Sequence, residues 1–196
     1  MFAYCSNNPI AYSDSTGYRM VHALSRDVGG AVHNQADRVV TENKDIIKEM
    51  AANYNVDPNV LAGCIYVEQF YNYDWIDELT DVSLFFMDTS VGVGQVKIST
   101  AKLLAANGYI QPLESISNLQ LAQKLQNDTV FNIQCAAAYL SYLDTYWDAA
   151  YDVSADPAIW GTLYNMGALT PQNNPKPNWF GEKVNGYGWY MELLLN

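Results

Sequence analysis

The stretch that most constrains how this chain can fold runs from Asp57 to Glu68. Asp57-Pro58 reads as a helix start, with an aspartate to cap the first turn and a proline where its missing N–H costs nothing. Leu61, Cys64 and Ile65 then recur at helical spacing. Glu68 follows Leu61 by seven residues, Cys64 by four and Ile65 by three, so it points the same way as the apolar stripe. A carboxylate on an apolar face is costly unless it is paired, kept neutral or put to use. Its neighbours Tyr66, Phe70, Tyr71 and Tyr73 add aromatic bulk rather than positive charge. The plainer reading is a glutamate at the end of a buried face that reaches water. Downstream lies a glycine-rich segment, Ser90-Val91-Gly92-Val93-Gly94-Gln95-Val96, and the rest of the chain is read around these two features.

Helical signals dominate elsewhere. Gly29-Gly30 is expected to break any helix between Arg19 and Val40, leaving a linker with one short helix. Thr41 to Tyr54 reads as a helix with Ile46, Ile47, Met50, Ala51 and Tyr54 on one face and Asn55 as a left-handed stop. Ser99 is expected to cap a helix that Asn107-Gly108 ends. A short helix spans about Leu119 to Leu125, and a long one runs from Thr129 to Tyr146 with Val130, Ile133, Ala137 and Leu140 as its stripe. Asp156-Pro157 repeats the cap-plus-proline signal, Gly167 closes that helix, and Trp179 to Leu195 supplies a last, glycine-interrupted one. Strand alternation is scarce, so the fold class is mainly α.

With 196 residues and 49% apolar composition, the chain can bury a substantial single core plus an appendage. A formal net charge of −11 argues against nucleic acid, whose phosphates need clustered Lys and Arg. It also argues against steering towards anionic surfaces, so a polyanionic substrate must be held by local contacts. No stretch approaches the roughly 20 apolar residues of a membrane-spanning helix. Met1-Phe2-Ala3-Tyr4-Cys5 lacks the basic start and apolar run of a secretory signal. Cys5, Cys64 and Cys135 form no metal pattern, and Cys64 and Cys135 are expected as buried thiols rather than a bridge. His22 and His33 lack a carboxylate cluster, so no metal or organic cofactor is implied.

Several segments carry a resemblance. Glu68, then Gly92-Val93-Gly94-Gln95-Val96, then Thr100-Ala101 resembles the lytic transglycosylases, a soluble family similar to goose-type lysozyme. Asp128-Thr129-Val130-Phe131-Asn132-Ile133 with Ala136 to Leu140, and Trp160-Gly161-Thr162-Leu163-Tyr164-Asn165-Met166-Gly167, are similar to later segments of that family in the same order. The resemblance implies a lysozyme-like helical domain over about residues 41–196, with residues 72–89 as a loop or small hairpin over the cleft. It implies Glu68 as the acid and then base that cleaves the bond between N-acetylmuramic acid and N-acetylglucosamine in peptidoglycan. The muramic acid 6-hydroxyl then attacks its own anomeric carbon, giving a 1,6-anhydro sugar.

The same resemblance gives Asp88, Ser90, Gly92, Gln95, Tyr164 and Asn165 substrate-binding roles, Asp88 lying near where the family often carries a Ser or Asp that contacts the sugar. Gly94 stands where the family usually has methionine, a change expected to widen a subsite. Plainer roles stay open beside these: a buried amide for Gln95, core packing for Tyr164 and helix capping for Asn165. Asp88 is either a solvated turn residue or a second carboxylate, which would make the enzyme a hydrolytic muramidase. Tyr139 is read as core.

Residues 4–18, Tyr4 to Tyr18, resemble the motif that closes an Rhs repeat core, with Ser15 in place of the usual proline. That implies an arm over residues 1–40 ahead of the catalytic domain, and a toxin that is secreted or injected to act in a target-cell periplasm or wall. The expected partners are peptidoglycan strands and a cognate immunity protein, with the chain itself a monomer that neither inserts in membranes nor binds nucleic acid. The other readings are a wall-remodelling enzyme or phage-type endolysin without a toxin role, and a glycan-binding module without catalysis.

Overall fold

Asp57 starts a helix where the sequence places one: its Oδ1 accepts the Asn59 N–H at 2.7 Å and its carbonyl accepts the Leu61 N–H at 3.1 Å. A computed structural model describes residues 29–71, 88, 90–113, 116–147, 152–153, 156–167 and 186–195. Among them are eight helices, α1 (Gly29–Glu42), α2 (Lys44–Asn53), α3 (Pro58–Tyr71), α4 (Ile98–Ala106), α5 (Asn118–Asn127), α6 (Thr129–Trp147), α7 (Pro157–Met166) and α8 (Gly186–Leu195). Two short strands, β1 (Ser90–Val91) and β2 (Val96–Lys97), pair antiparallel with Ser90 opposite Lys97 and Val91 opposite Val96. This is the mainly helical architecture expected for a lysozyme-like domain.

Helix α3 carries the glutamate and sits at the centre, packed by α1, α2, α6, α7 and α8. Leu61, Cys64 and Ile65 are fully buried on it, as the stripe requires. Helix α6 supplies the other wall of the core through Ile133, Ala136, Ala137, Leu140, Leu143 and Trp147, each fully buried. Val130 departs from the expected stripe, being 48% exposed in the first turn of α6.

The helix ends follow local chemistry, with three corrections. Gly29-Gly30 does not break a helix but begins α1, because first-turn N–H groups lack intrahelical partners and the interior penalty of glycine does not apply there. Helix α1 crosses position 40 and buries Ala36 completely. The helix expected from Thr41 is divided at Asn43, whose Nδ2 donates to the Val39 carbonyl at 2.8 Å. Ser99 does not cap α4: Lys97 holds the cap position, and Ser99 is engaged by Asp88. Asn55 (φ 53°) and Gly108 (φ 75°) adopt left-handed conformations after α2 and α4, as expected.

Asp156 caps α7, its Oδ1 accepting the Ala158 N–H at 2.9 Å. Gly167, at φ 99°, closes that helix. Helices α7 and α8 cross at glycines. A Cβ on Gly188 would stand 2.1 Å from the Ala158 carbonyl oxygen and 2.2 Å from Thr162 Oγ1. Cys64 and Cys135 are free and buried as expected, and burial pushes the Cys135 thiol up to about 12. The Rhs-like motif at 4–18 and residues 72–87 of the expected loop over the cleft lie outside the described residues.

The crossing yields a prediction. Gly188→Ala drives a methyl into a backbone carbonyl, and overpacking of this kind costs about 1–3 kcal/mol. Its thermal midpoint is expected to fall by several degrees, and an unchanged melt would refute the close crossing.

Candidate active site

The glycine-rich segment forms a turn, Gly92 to Gln95, between β1 and β2. The Gln95 N–H donates to the Gly92 carbonyl at 3.1 Å. Gly92 lies at φ 77° and Gln95 at φ 47°, a left-handed conformation that costs a side-chain-bearing residue free energy. Gln95 offsets part of that cost locally: its Nε2 donates to the same Gly92 carbonyl at 3.0 Å.

A hairpin this short has little stability of its own. Here neighbouring helices pin it. Asn132 of α6, fully buried, accepts the Gly94 N–H on Oδ1 at 2.7 Å. Its Nδ2 donates to the Val91 carbonyl at 2.8 Å and to the Leu125 carbonyl at the end of α5 at 3.0 Å. Gln69 of α3 donates from Nε2 to the Val93 carbonyl at 2.9 Å. Tyr164 of α7 donates its hydroxyl to the Gly94 carbonyl at 2.7 Å. The four carbonyls from Val91 to Gly94 are thus all satisfied by side chains. The Val93 N–H, at the half-exposed tip, has no partner among the described residues and can donate to a ligand oxygen.

The glycines serve this seating. A Cβ on Gly92 would stand 2.2 Å from Asn132 Nδ2 and 2.4 Å from the Leu125 carbonyl oxygen. A Cβ on Gly94 would lie 3.0 Å from that of Ala136 and 3.3 Å from the Tyr164 hydroxyl. The space expected at Gly94 for a widened subsite is therefore filled by α6 and α7. The backbone approaches a helix at both positions.

Glu68 occupies the last turn of α3 and is partly exposed, whereas Gln69 beside it is 6% exposed. Successive residues on a helix point about 100° apart. One turn of backbone therefore sends Gln69 into the hairpin and leaves Glu68 partly exposed. The Glu68 carboxylate lies close enough to Cys64 and Tyr164 to oppose their ionisation. Burial, then the neighbouring Cys64 and Glu68, holds the Tyr164 hydroxyl well above its ordinary range. Tyr164 therefore stays a donor to Gly94 through neutral and moderately alkaline pH.

The other expected site residues divide. Tyr164, Gly92 and Gln95 converge on the turn, and Ser90 stands half-exposed on β1 before it. Asp88 is exposed, and both its oxygens are engaged by Ser99: Oδ1 accepts the backbone N–H at 2.8 Å and Oδ2 the hydroxyl. It thereby serves the N-terminus of α4 from outside that helix. Asn165 sits partly exposed next to the last residue of α7. Tyr139 is core, packed against Tyr142 and Tyr164 at 6.2 and 5.7 Å between ring centroids.

Sequence reading gave no role to Asn132 or Gln69. The signal was available: Gln69 follows Leu61 and Ile65 on the apolar stripe, and Asn132 stands four residues before buried Ala136. A polar residue on an apolar face has the same meaning there as it has at Glu68. Among the described residues no group of three or more His, Cys, Asp or Glu is placed to hold a metal ion.

Tyr164→Phe leaves the Gly94 carbonyl without its donor in a buried setting, a loss of about 1–3 kcal/mol. Urea denaturation should report that drop, and a midpoint equal to wild type would show the bond contributes nothing.

Comparison with known proteins places residues 24–144, more than half of the chain, in a match to the family described as T6SS, Peptidoglycan muramidase Tse3, catalytic domain. Neither a curated protein nor a solved structure matches the chain.

Proposed function

The chain belongs to the family of the T6SS peptidoglycan muramidase Tse3 catalytic domain, and from that premise we propose that it cleaves peptidoglycan with Glu68 as general acid. The observation that carries this reading is the pairing of a partly exposed carboxylate with a turn pinned by three helices. The bond attacked is the β-1,4 link between N-acetylmuramic acid and N-acetylglucosamine.

Breaking that bond requires a proton on the leaving oxygen, delivered by a positioned carboxylic acid. Glu68 supplies it from the end of a buried helix. The turn offers the Val93 N–H to a sugar oxygen, with Ser90 and Gln95 beside it, and Asn165, which follows Tyr164 on α7, is proposed as a further polar contact. The positive charge that develops at the anomeric carbon is then quenched in one of two ways. In the first, Glu68 returns as base and the muramic acid 6-hydroxyl closes a 1,6-anhydro ring. Asp88 supports this single-carboxylate route, because both its oxygens are committed to Ser99. In the second, water is the nucleophile and Asp88 assists it. The family's description as a muramidase favours that hydrolytic route. We take the first as the primary reading.

The family supports an antibacterial effector delivered to a target-cell periplasm with peptidoglycan as substrate, and to that setting we add, as a proposal, a cognate immunity protein guarding the producer. Residues 4–18 fit a junction with an Rhs repeat core, and of the arm expected over residues 1–40 we keep only the part before residue 24, where the match to the catalytic domain begins. The net charge of −11 suits a basic inhibitor.

Digestion of purified peptidoglycan, read by mass spectrometry for wild type beside Glu68→Gln, tests the proposal. Soluble muropeptides lighter by one water than the hydrolysed form are expected from wild type. The variant should be slower by about 10²–10⁴-fold, the usual share of general acid catalysis. Products of full hydrolysed mass would transfer the second step to water and Asp88. Absence of release from every wall preparation would overturn the enzyme reading.

A further inference from the structure

We infer that Asn132 is a positioning residue of this reaction: it sets the plane of the glycine turn against the Glu68 helix without itself meeting the glycan. The inference rests on the cleavage reading above. Asn132 is 0% exposed, so no substrate reaches it. Its amide makes one bond as acceptor and two as donor, to Gly94, Val91 and Leu125. The amide orientation is determined by these partners. Turned over, its nitrogen would face an N–H and its oxygen two carbonyls.

The geometry gives Asn132 a part that a space-filling residue cannot play. The Gly94 peptide N–H is held by Asn132, while the carbonyl of the same residue is held by Tyr164. The Val93 carbonyl just before it is held by Gln69, the residue next to Glu68. Rotation of the Val93–Gly94 peptide therefore breaks bonds to α3 and α6 together. The Val93 N–H, which has no partner among the described residues, lies one residue before Gly94 and turns with the same backbone. Loss of Asn132 misaims that donor relative to the acid. Displacements of about 1 Å in a reacting constellation cost about a hundredfold in rate.

The chemistry of the amide also separates two substitutions. Asn132→Ala removes all three bonds. Asn132→Asp keeps the shape and replaces the nitrogen by an oxygen facing two carbonyls. Protonated, that carboxyl donates one bond and still accepts from Gly94. Ionised, it sets a buried negative charge against two carbonyl oxygens, so its folded-state pKa stands above the ordinary carboxylate value. The native turn is then supported below that pKa and lost as pH rises through it. The titratable groups around the position are Lys124 and Asp128, paired at 2.7 Å, Cys135 and Tyr139 of α6, Tyr164 of α7, and Glu68 of α3 beyond Tyr164. All are retained in wild type, which serves as the control for their titration.

The test is steady-state cleavage of peptidoglycan by the whole chain, per folded molecule by circular dichroism, from acid to mildly alkaline pH. Asn132→Ala should lose about ten- to a hundredfold in kcat/KM, mostly in kcat, with its fold retained. Asn132→Asp should approach wild type at acid pH and fall towards Asn132→Ala as pH rises, a loss relative to wild type that adds to the alkaline limb Glu68 as general acid gives every form of the protein. Full kcat/KM per folded molecule in Asn132→Ala overturns the inference, as does an Asn132→Asp profile parallel to wild type. Should neither variant fold at any pH, the role is structural and the inference fails. Absence of cleavage by wild type itself sinks the cleavage reading instead, so the two failures are told apart.

Discussion

A buried asparagine side chain holds this site together. Carrying an amide out of water is unfavourable unless its bonds are remade inside, and each remade bond yields only about 0.5–1.5 kcal/mol net. Asn132 is therefore a poor source of stability and a strong source of specificity. Its three bonds are met only when β1, the turn, α5 and α6 stand in one arrangement. Any slip of the hairpin strands a buried donor or acceptor, at a cost of about 1–3 kcal/mol. An apolar residue there would fill the space and tolerate several arrangements.

The glycines are the counterpart of that constraint. Gly92 and Gly94 carry no side chain because Asn132, the Leu125 carbonyl, Ala136 and Tyr164 already occupy the volume. A glycine-rich loop invites a reading in which the bare backbone meets a ligand. Here the face without side chains meets the protein, and the part left half-exposed, where we propose the glycan meets the turn, is the tip at Val93. The left-handed Gln95 is the cost of turning the chain so tightly, and its own side chain helps hold it there.

Much of this was legible in the sequence, and the limits have physical causes. Helix starts with a side-chain cap and a proline, at Asp57-Pro58 and Asp156-Pro157, were readable because the signal and the structure it makes lie within a few residues. Stops at Asn55, Gly108 and Gly167 were readable for the same reason. Ser99 misled because its partner, Asp88, comes from eleven residues away and outbids the local cap. Gly29-Gly30 misled because the cost of glycine depends on whether it stands inside a helix or at its first turn. The clamp on the turn was beyond reach, since its partners are 24, 38, 41 and 70 residues apart along the chain. The polarity of Gln69 and Asn132 on apolar faces marked them as unusual. Only the packing of helices says that both face the same hairpin.

The division of labour between Glu68 and Gln69 shows how one helix can couple chemistry to framework. Adjacent residues on α3 point apart, so the neutral amide goes inward to the Val93 carbonyl while the carboxylate stays partly exposed. Because both hang from one turn of a helix buried by five neighbours, the acid and the backbone beside it move together. The groups that hold the turn from neighbouring helices are two amides and a phenol kept protonated by burial. None of them changes charge across the range in which a carboxylic acid gives up and regains a proton. The framework is therefore indifferent to the protonation that the proposed reaction asks of Glu68, and under that proposal the acid cycles without loosening the turn beside it.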